Sequence, residues 1–387
     1  MRIFISAGEP SGDLHGGNLA RALRQTDPGI ECVGFGGACM EDAGCRLVYP
    51  LAGLAVMGVL RVLQSAHKFL ALLLEADRYF RLQKPDAVVL IDYPGFHWWL
   101  ARRAHAHGIP VFYFVPPQIW AWAGWRVRKM RALVDHVLCS LPFEEAWYRE
   151  RGVAAHYLGH PYFDELAQQR FDRAFVDQEQ ARSGTIVGLL PGSRTQEVVH
   201  NLPPLVHAAG RIHARRPETR FLVACYKPHH LDYVSRYLAS HDAPDVAPWI
   251  GRTPEIIHLA KACIAVSGSV GLELLYHSKP SVVVYRTDSF TLRVIPFFKK
   301  SRYISLVNLL AGKELFPEFL TDRCEAEAVS GHVVRWLTDE KAYEEVVREL
   351  EKLRSKVAEP GACRRVARYI LDALHQRPAV RRDRAVA

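Results

Sequence analysis

Short apolar runs alternate with longer amphipathic stretches along the chain. Ile3 to Ser6, Glu31 to Gly34, Ala87 to Ile91, Val111 to Val115 and His136 to Ser140 are nearly continuous in apolar character. Strands covered on both faces of a parallel sheet read this way, because neither face can be polar. Between them lie stretches of helical period, such as Gly16 to Arg24 and Phe96 to His107. The βαβ rhythm predicts a doubly wound α/β sheet.

The rhythm breaks at Tyr157-Leu158-Gly159-His160-Pro161 and stays polar as far as Gly184. It then resumes, with strands predicted at Thr185 to Leu190, Arg220 to Ala224, Ala262 to Val266 and Ser281 to Tyr285. The expected architecture is two Rossmann-like domains facing a cleft, with boundaries 1–165 and 166–340. A helical tail over 341–387, rich in Glu, Lys, Arg and Leu, is expected to pack back on the first domain.

One stretch admits two environments. Read as a helix, Leu54 to Glu75 places Val56, Val59, Leu60, Leu63, Leu70, Leu73 and Leu74 on one face. Arg61, Gln64, Ser65, Lys68 and Glu75 fall on the other. Such a face packs on the protein's own core or lies in a membrane interface. A second apolar-basic stretch, Leu292 to Lys300, offers the same choice. Trp98, Trp99, Trp120, Trp122 and Trp125 cluster in the first domain, as core or as an apolar surface with polar N–H groups.

Composition narrows the classes. The chain is 49% hydrophobic and 24% charged, as a folded globular protein is. Its formal charge of +9 suits nucleic acid, an anionic membrane or a phosphorylated substrate. The basic residues are dispersed, without a run interleaved with aromatics, which disfavours nucleic acid. No pair of the eight cysteines has C-x-x-C spacing, and no metal-spaced His/Cys cluster is visible, so reduced thiols and no metal are expected. Strand-like residues follow Met1 directly, and no apolar run reaches transmembrane length, so neither a secretory signal nor a membrane span is expected.

Candidate chemistry sits where strands end. The first strand runs into Gly8-Glu9-Pro10-Ser11-Gly12-Asp13, a glycine turn before a helix. Such a turn lets a backbone approach a ligand, or is simply tight; Glu9 and Ser11 are its catalytic candidates. Asp92 follows a buried strand, as a general base or as the N-cap of the next helix. Gly192, Ser193 and Arg194, with Glu197 beyond, form a turn suited to gripping a phosphate, or an ordinary turn with a solvated Arg. Ser269 opens a further helix, and Glu273 one turn on is a ribose-hydroxyl acceptor or a capping-box acid. His229-His230 reads as a surface pair.

Taken in order, these segments resemble the lipid-A-disaccharide synthase family over nearly the whole chain. The resemblance rests on Ala7 to Asp13, Leu54 to Gly58, Ile91 to Pro94, Ile119 to Trp122, Leu141 to Glu144, Gly159-His160, Leu189 to Arg194 with Glu197, and Tyr303 to Gly312. It implies a glycosyltransferase-B fold with the nucleotide held mainly by the second domain. It implies a UDP-2,3-diacylglucosamine donor, a 2,3-diacylglucosamine 1-phosphate acceptor and an inverting single displacement. UDP-sugar is then a substrate, and no cofactor is implied. Asp92 matches the family's essential aspartate, Arg194 its phosphate-side arginine and Asn308 its late asparagine. Gly95 and His97 stand where the family usually has Asp and Asn. Pro116-Pro117-Gln118 and Ser269-Val270-Gly271 also depart from its usual residues. Acylated substrates imply peripheral attachment to an anionic surface at the cytoplasmic face of the inner membrane; a homo-oligomer is compatible. The alternatives are a UDP-N-acetylglucosamine 2-epimerase-like enzyme on the same fold and a basic nucleic-acid-binding module.

Overall fold

The computed structural model describes residues 1–54, 66–241, 244–289, 291–293 and 301–376. They form two compact units, Met1–Asp164 with Pro360–Ala387, and Glu165–Glu359. Each is an all-parallel sheet flanked by helices.

In the first unit the strands are β1 (Arg2–Ala7), β2 (Glu31–Phe35), β3 (Arg46–Tyr49), β4 (Ala87–Ile91), β5 (Val111–Phe114), β6 (His136–Cys139) and β7 (Ala155–Tyr157). Their order is β3-β2-β1-β4-β5-β6-β7. Alternate residues of the central strands feed two cores. Phe4, Val88 and Leu90 face one side, where the Phe4 ring meets Phe35 and Phe80 edge-on with centroids 5.2 and 5.1 Å away. Ile3, Ile5, Val89 and Ile91 face the other, under the helix Pro10–Thr26. Gly16 and Gly17 of that helix are needed for packing. A Cβ on Gly16 would lie 2.7 Å from Met40 Sδ, and one on Gly17 2.4 Å from the Cys39 carbonyl oxygen.

The last helix, Ala362–Gln376, completes this second face with Val366, Ala367, Ile370 and Leu371. Asp164 anchors it: the carboxylate accepts from the peptide N–H groups of Gly361, Ala362 (2.9 Å) and Cys363 (2.8 Å). A negative charge at a helix N-terminus satisfies its unpaired donors and complements its dipole.

In the second unit the strands are β8 (Thr185–Leu190), β9 (Thr219–Cys225), β10 (Val246–Ile250), β11 (Ala262–Ala265), β12 (Ser281–Arg286) and β13 (Glu318–Thr321), ordered β10-β9-β8-β11-β12-β13. The helix Glu340–Val357 packs here through Leu350, Leu353 and Val357. The expected tail over 341–387 is therefore not one element. Its first helix belongs to the second unit and its last to the first, because their apolar faces match different sheets.

The helix expected over Leu54 to Glu75 is described only in part. Val56, Val59, Leu60 and Leu63 lie outside the described residues, as does 294–300. The helix Ala66–Gln83 buries Leu72, Leu73, Ala76 and Phe80 in the core and leaves Leu70 and Leu74 exposed. Leu73 thus leaves the apolar face assigned to it, because residues 72, 73, 76 and 80 form the stripe that meets the sheet. No helix among the described residues is long and apolar enough to cross a membrane.

Candidate active site

Both sheets reverse strand order once, between β1 and β4 and between β8 and β11. Open α/β sheets bind ligands beyond the strand ends at such switch points. The candidate residues gather at these two places.

At the first, Ala7 and Ile91 are paired neighbours, so Gly8-Glu9 and Asp92-Tyr93 leave the sheet side by side. Asp92 and Tyr93 both have φ of +49°, a left-handed backbone in two successive non-glycine residues. Each such residue costs about 1–3 kcal/mol and persists only when its surroundings hold it. The Asp92 carbonyl accepts from Tyr113 Oη at 2.7 Å and from His97 Nδ1 at 2.6 Å. His97 Nε2 in turn lies 2.9 Å from Ser6 Oγ. Asp92 is not a helix cap: the cap of the helix Pro94–Ala106 is Tyr93, whose side chain makes no capping bond. Burial, helped by the negative charge of Glu9, pushes the Asp92 carboxyl up to about 6. A carboxyl so tuned takes up a proton near neutral pH, as a general base must. Glu9 is partly buried and Ser11 exposed in the first turn of the helix Pro10–Thr26.

The aromatic motif divides. Trp98 and Trp120 are buried, while Trp99, Trp122 and Trp125 are exposed. Trp120 Nε1 donates to Glu144 at 3.0 Å, joining two of the sequence motifs. The same carboxylate accepts from the peptide N–H of Ser140 and Leu141, and burial pushes it up to about 7.

At the second switch point Leu190 pairs with Ala265. Gly192, at φ +117°, turns the chain where a Cβ would meet Glu197 Cβ at 2.6 Å. Glu197 accepts from the peptide N–H of Ser193 and Arg194, both at 3.2 Å, and from Arg194 Nη1 at 2.9 Å. Its carboxylate is engaged in shaping the turn. Ser193 and Arg194 remain exposed, the Arg194 side chain 60% so. Across the switch point, Ser269 precedes the helix Val270–Tyr276. Glu273 is the fourth residue of that helix, one past the position a capping box uses, and it accepts from Gln169 Nε2 at 3.2 Å.

Asn308 lies in an internal hydrogen-bond network. It is fully buried, and its amide donates to Phe316 O (2.7 Å) and Glu318 (2.7 Å) and accepts from Leu315 N (2.8 Å) and Phe316 N (2.9 Å). These bonds hold the backbone at Leu315–Phe316. Glu318 was not singled out in the sequence. It holds the segment before the helix Leu306–Ala311 by accepting from Ile304 N and Ser305 N, each at 2.8 Å. Ser267 Oγ donates to Ile304 O at 2.8 Å, which ties that segment to the turn before Ser269. His229-His230 is not a surface pair: His230 is 1% exposed, and both rings approach Thr195 Oγ, at 3.0 and 3.2 Å.

Residues 3–370 match the family model described as "Lipid-A-disaccharide synthetase". The chain belongs to this family. It is 36% identical to the lipid-A-disaccharide synthase of Myxococcus xanthus (strain DK1622) over 96% of this chain and 97% of that one. It is 35% identical to that of Trichlorobacter lovleyi (strain ATCC BAA-1151 / DSM 17278 / SZ), over 97% and 98%. The lipid-A-disaccharide synthase family is one of glycosyltransferases, so the chain is a hexosyltransferase of lipid A biosynthesis acting on a UDP-sugar and an acceptor.

Its fold is shared more widely. A UDP complex of MnaA from S. aureus superposes with TM-score 0.67 at 12% identity, covering 97% of this chain and 98% of that one. Acinetobacter baumannii MurG gives 0.59 at 13% identity, over 96% and 99%. The two-domain glycosyltransferase-B fold is therefore the observed one. At this identity a shared fold carries no shared activity. The epimerase alternative and the nucleic-acid alternative both give way to the family.

Proposed function

We propose that this chain joins UDP-2,3-diacylglucosamine to 2,3-diacylglucosamine 1-phosphate in one inverting step. Asp92 removes the proton from the acceptor 6-hydroxyl as that oxygen forms its bond to the donor anomeric carbon. The bond from that carbon to the diphosphate oxygen breaks, and UDP leaves with the electron pair. Arg194 and Ser193 meet the growing phosphate charge, and Glu273 and the Ser269 turn meet the nucleoside. Glu9 keeps the Asp92 proton affinity high, and Ser11 lies within the same turn for the acceptor. The observation that carries this reading is the raised carboxyl of Asp92 beside Glu9, at a switch point, on a backbone held in a costly conformation.

The test is mass spectrometry of products from the two defined acylated substrates. The wild type is expected to yield the disaccharide 1-phosphate and UDP, and Asp92→Asn almost none, with UDP affinity retained. A product lacking the second sugar would sink the reading.

Attachment to an anionic membrane surface at the cytoplasmic face is part of the same proposal. Leu70, Leu74, Trp99, Trp122 and Trp125 are exposed large apolar side chains of the first unit. Arg102 lies over Trp99 at 5.8 Å, Arg126 over Trp122 at 4.6 Å and Lys129 over Trp125 at 6.0 Å. Indole rings with cations beside them suit the lipid headgroup layer, where apolar faces and anionic phosphates adjoin.

A further inference from the structure

Two fully buried polar side chains bond one atom, the main-chain oxygen of Asp92, and a third from another element bonds one of the two. Tyr113 comes from β5, His97 from the helix Pro94–Ala106 and Ser6 from β1. All three have no measurable exposure. A carbonyl oxygen can only accept, so Nδ1 of His97 carries the proton, and Nε2 accepts from the Ser6 hydroxyl. Burial lowers His97 to about 4, which keeps the ring in this neutral form. The chain of bonds therefore has one direction, Ser6 to His97 to Asp92, with Tyr113 donating to the second lone pair. One bond would satisfy a buried carbonyl. Two donors, one of them oriented by a third group, fix its direction.

We propose that His97, oriented by Ser6, and Tyr113 are positioning residues that lock the Asp92–Tyr93 peptide in its left-handed form. The lock sets where the Asp92 carboxylate stands against the acceptor hydroxyl. None of the three touches substrate. This inference rests on Asp92 acting as the base. It accounts for two successive left-handed residues at a strand end, since both donors hold the carbonyl in this conformation.

The test measures kcat and KM for disaccharide formation in the full chain, with Asp92→Asn as reference. His97→Leu removes the bond and should lower kcat about 10²-fold with acceptor KM within about 3-fold, the mark of lost alignment. Tyr113→Phe removes one hydroxyl at constant shape and should lower kcat about 10-fold. His97→Asn keeps an amide donor near the Nδ1 position and should restore kcat to within about 5-fold of wild type. If His97→Leu does not fold, Tyr113→Phe decides, since it leaves the packing intact. Clamp variants within about 2-fold of wild type, beside an inactive Asp92→Asn, would overturn the clamp and leave the base in place. His97→Asn no better than His97→Leu would also overturn it, reducing His97 to a packing residue. Full activity in Asp92→Asn would remove the base and the clamp together.

Discussion

The ring of Tyr93 fills the space that a β-carbon on Gly8 would need: such a carbon would lie 2.2 Å from Tyr93 Cδ1 and 2.4 Å from Cγ. Gly8 follows β1 and Tyr93 follows Asp92 just beyond β4, so the glycine decides how closely the two strand ends can lie. Gly8→Ala must push the whole ring aside, since the clash is at its root. The expected result is a kcat about 10²-fold lower through displacement of Asp92, with UDP affinity unchanged. Steady-state kinetics with calorimetry on UDP check it; unaltered kcat would show that Tyr93 moves without carrying Asp92 along.

Asp92 also predicts a pH dependence. Its folded-state pKa, about 6, lies above the ordinary 3.8, so the folded protein prefers the neutral acid. That preference stabilises the fold fully below the ordinary value and is lost as pH rises through about 6. Asp92→Asn stays neutral throughout. It should therefore have the higher urea midpoint at pH 8 and match the wild type near pH 4. Activity runs the opposite way. The wild-type kcat/KM should rise with pH through an apparent pKa near 6, and the variant should lose about 10²- to 10⁴-fold. A variant less stable than wild type at pH 8 would contradict the burial argument.

Arg194 and Asn308 should separate by what they damage. Arg194→Ala removes an exposed charged donor and should weaken UDP binding by about 1.5–3 kcal/mol, with the urea midpoint unchanged. Asn308→Ala strands the peptide donors of Leu315 and Phe316 in the interior. Each unsatisfied buried group costs about 1–3 kcal/mol, so the urea midpoint should fall clearly. An Asn308→Ala protein of normal stability that fails to bind UDP would place Asn308 at the nucleotide site.

The exposed tryptophans test the membrane contact. Trp122→Ser with Trp125→Ser should weaken binding to anionic vesicles at least 10-fold, since each large apolar side chain inserted contributes about 1.5–3 kcal/mol. Turnover of dispersed short-chain substrates should stay normal. Sedimentation with vesicles measures the first and product formation the second. Undiminished sedimentation would place the contact on another surface.

The sequence reading found β1, β2, β4, β5, β6, β8, β9, β11 and β12. The strands it missed, β3, β7, β10 and β13, are the four edges of the two sheets. An edge strand has one neighbour and thinner cover, so its residues alternate or stay half-exposed: all of Arg46–Tyr49 and Val246–Ile250 remain at least partly accessible. β3, β7 and β13 have only three or four residues, and Pro248 interrupts β10, so the strand signal is weak in each. The placement of Asp92 and of Gly192 to Arg194 just beyond strand ends was legible, because strand-end acids and glycine turns are local signals. The clamp on Asp92 was not, since Ser6, His97 and Tyr113 are separated by long stretches of chain and meet only through the β1-β4-β5 pairing. The internal bonds of Asn308 were not legible either, because a motif records that a residue matters and not which groups its amide meets.

The return of the last helix to the first sheet has a consequence for synthesis. Ile3, Ile5, Val89 and Ile91 are made long before Val366 and Ile370, which cover the same face. The unit from Glu165 to Glu359 is continuous and can finish on its own. The first unit must wait while that stretch is translated, on the order of ten to forty seconds at bacterial ribosome speeds. Throughout that interval the nascent chain carries an apolar surface with half its cover missing. A stop codon at position 360 or 361 would therefore damage the unit made earlier and spare the unit nearest the break.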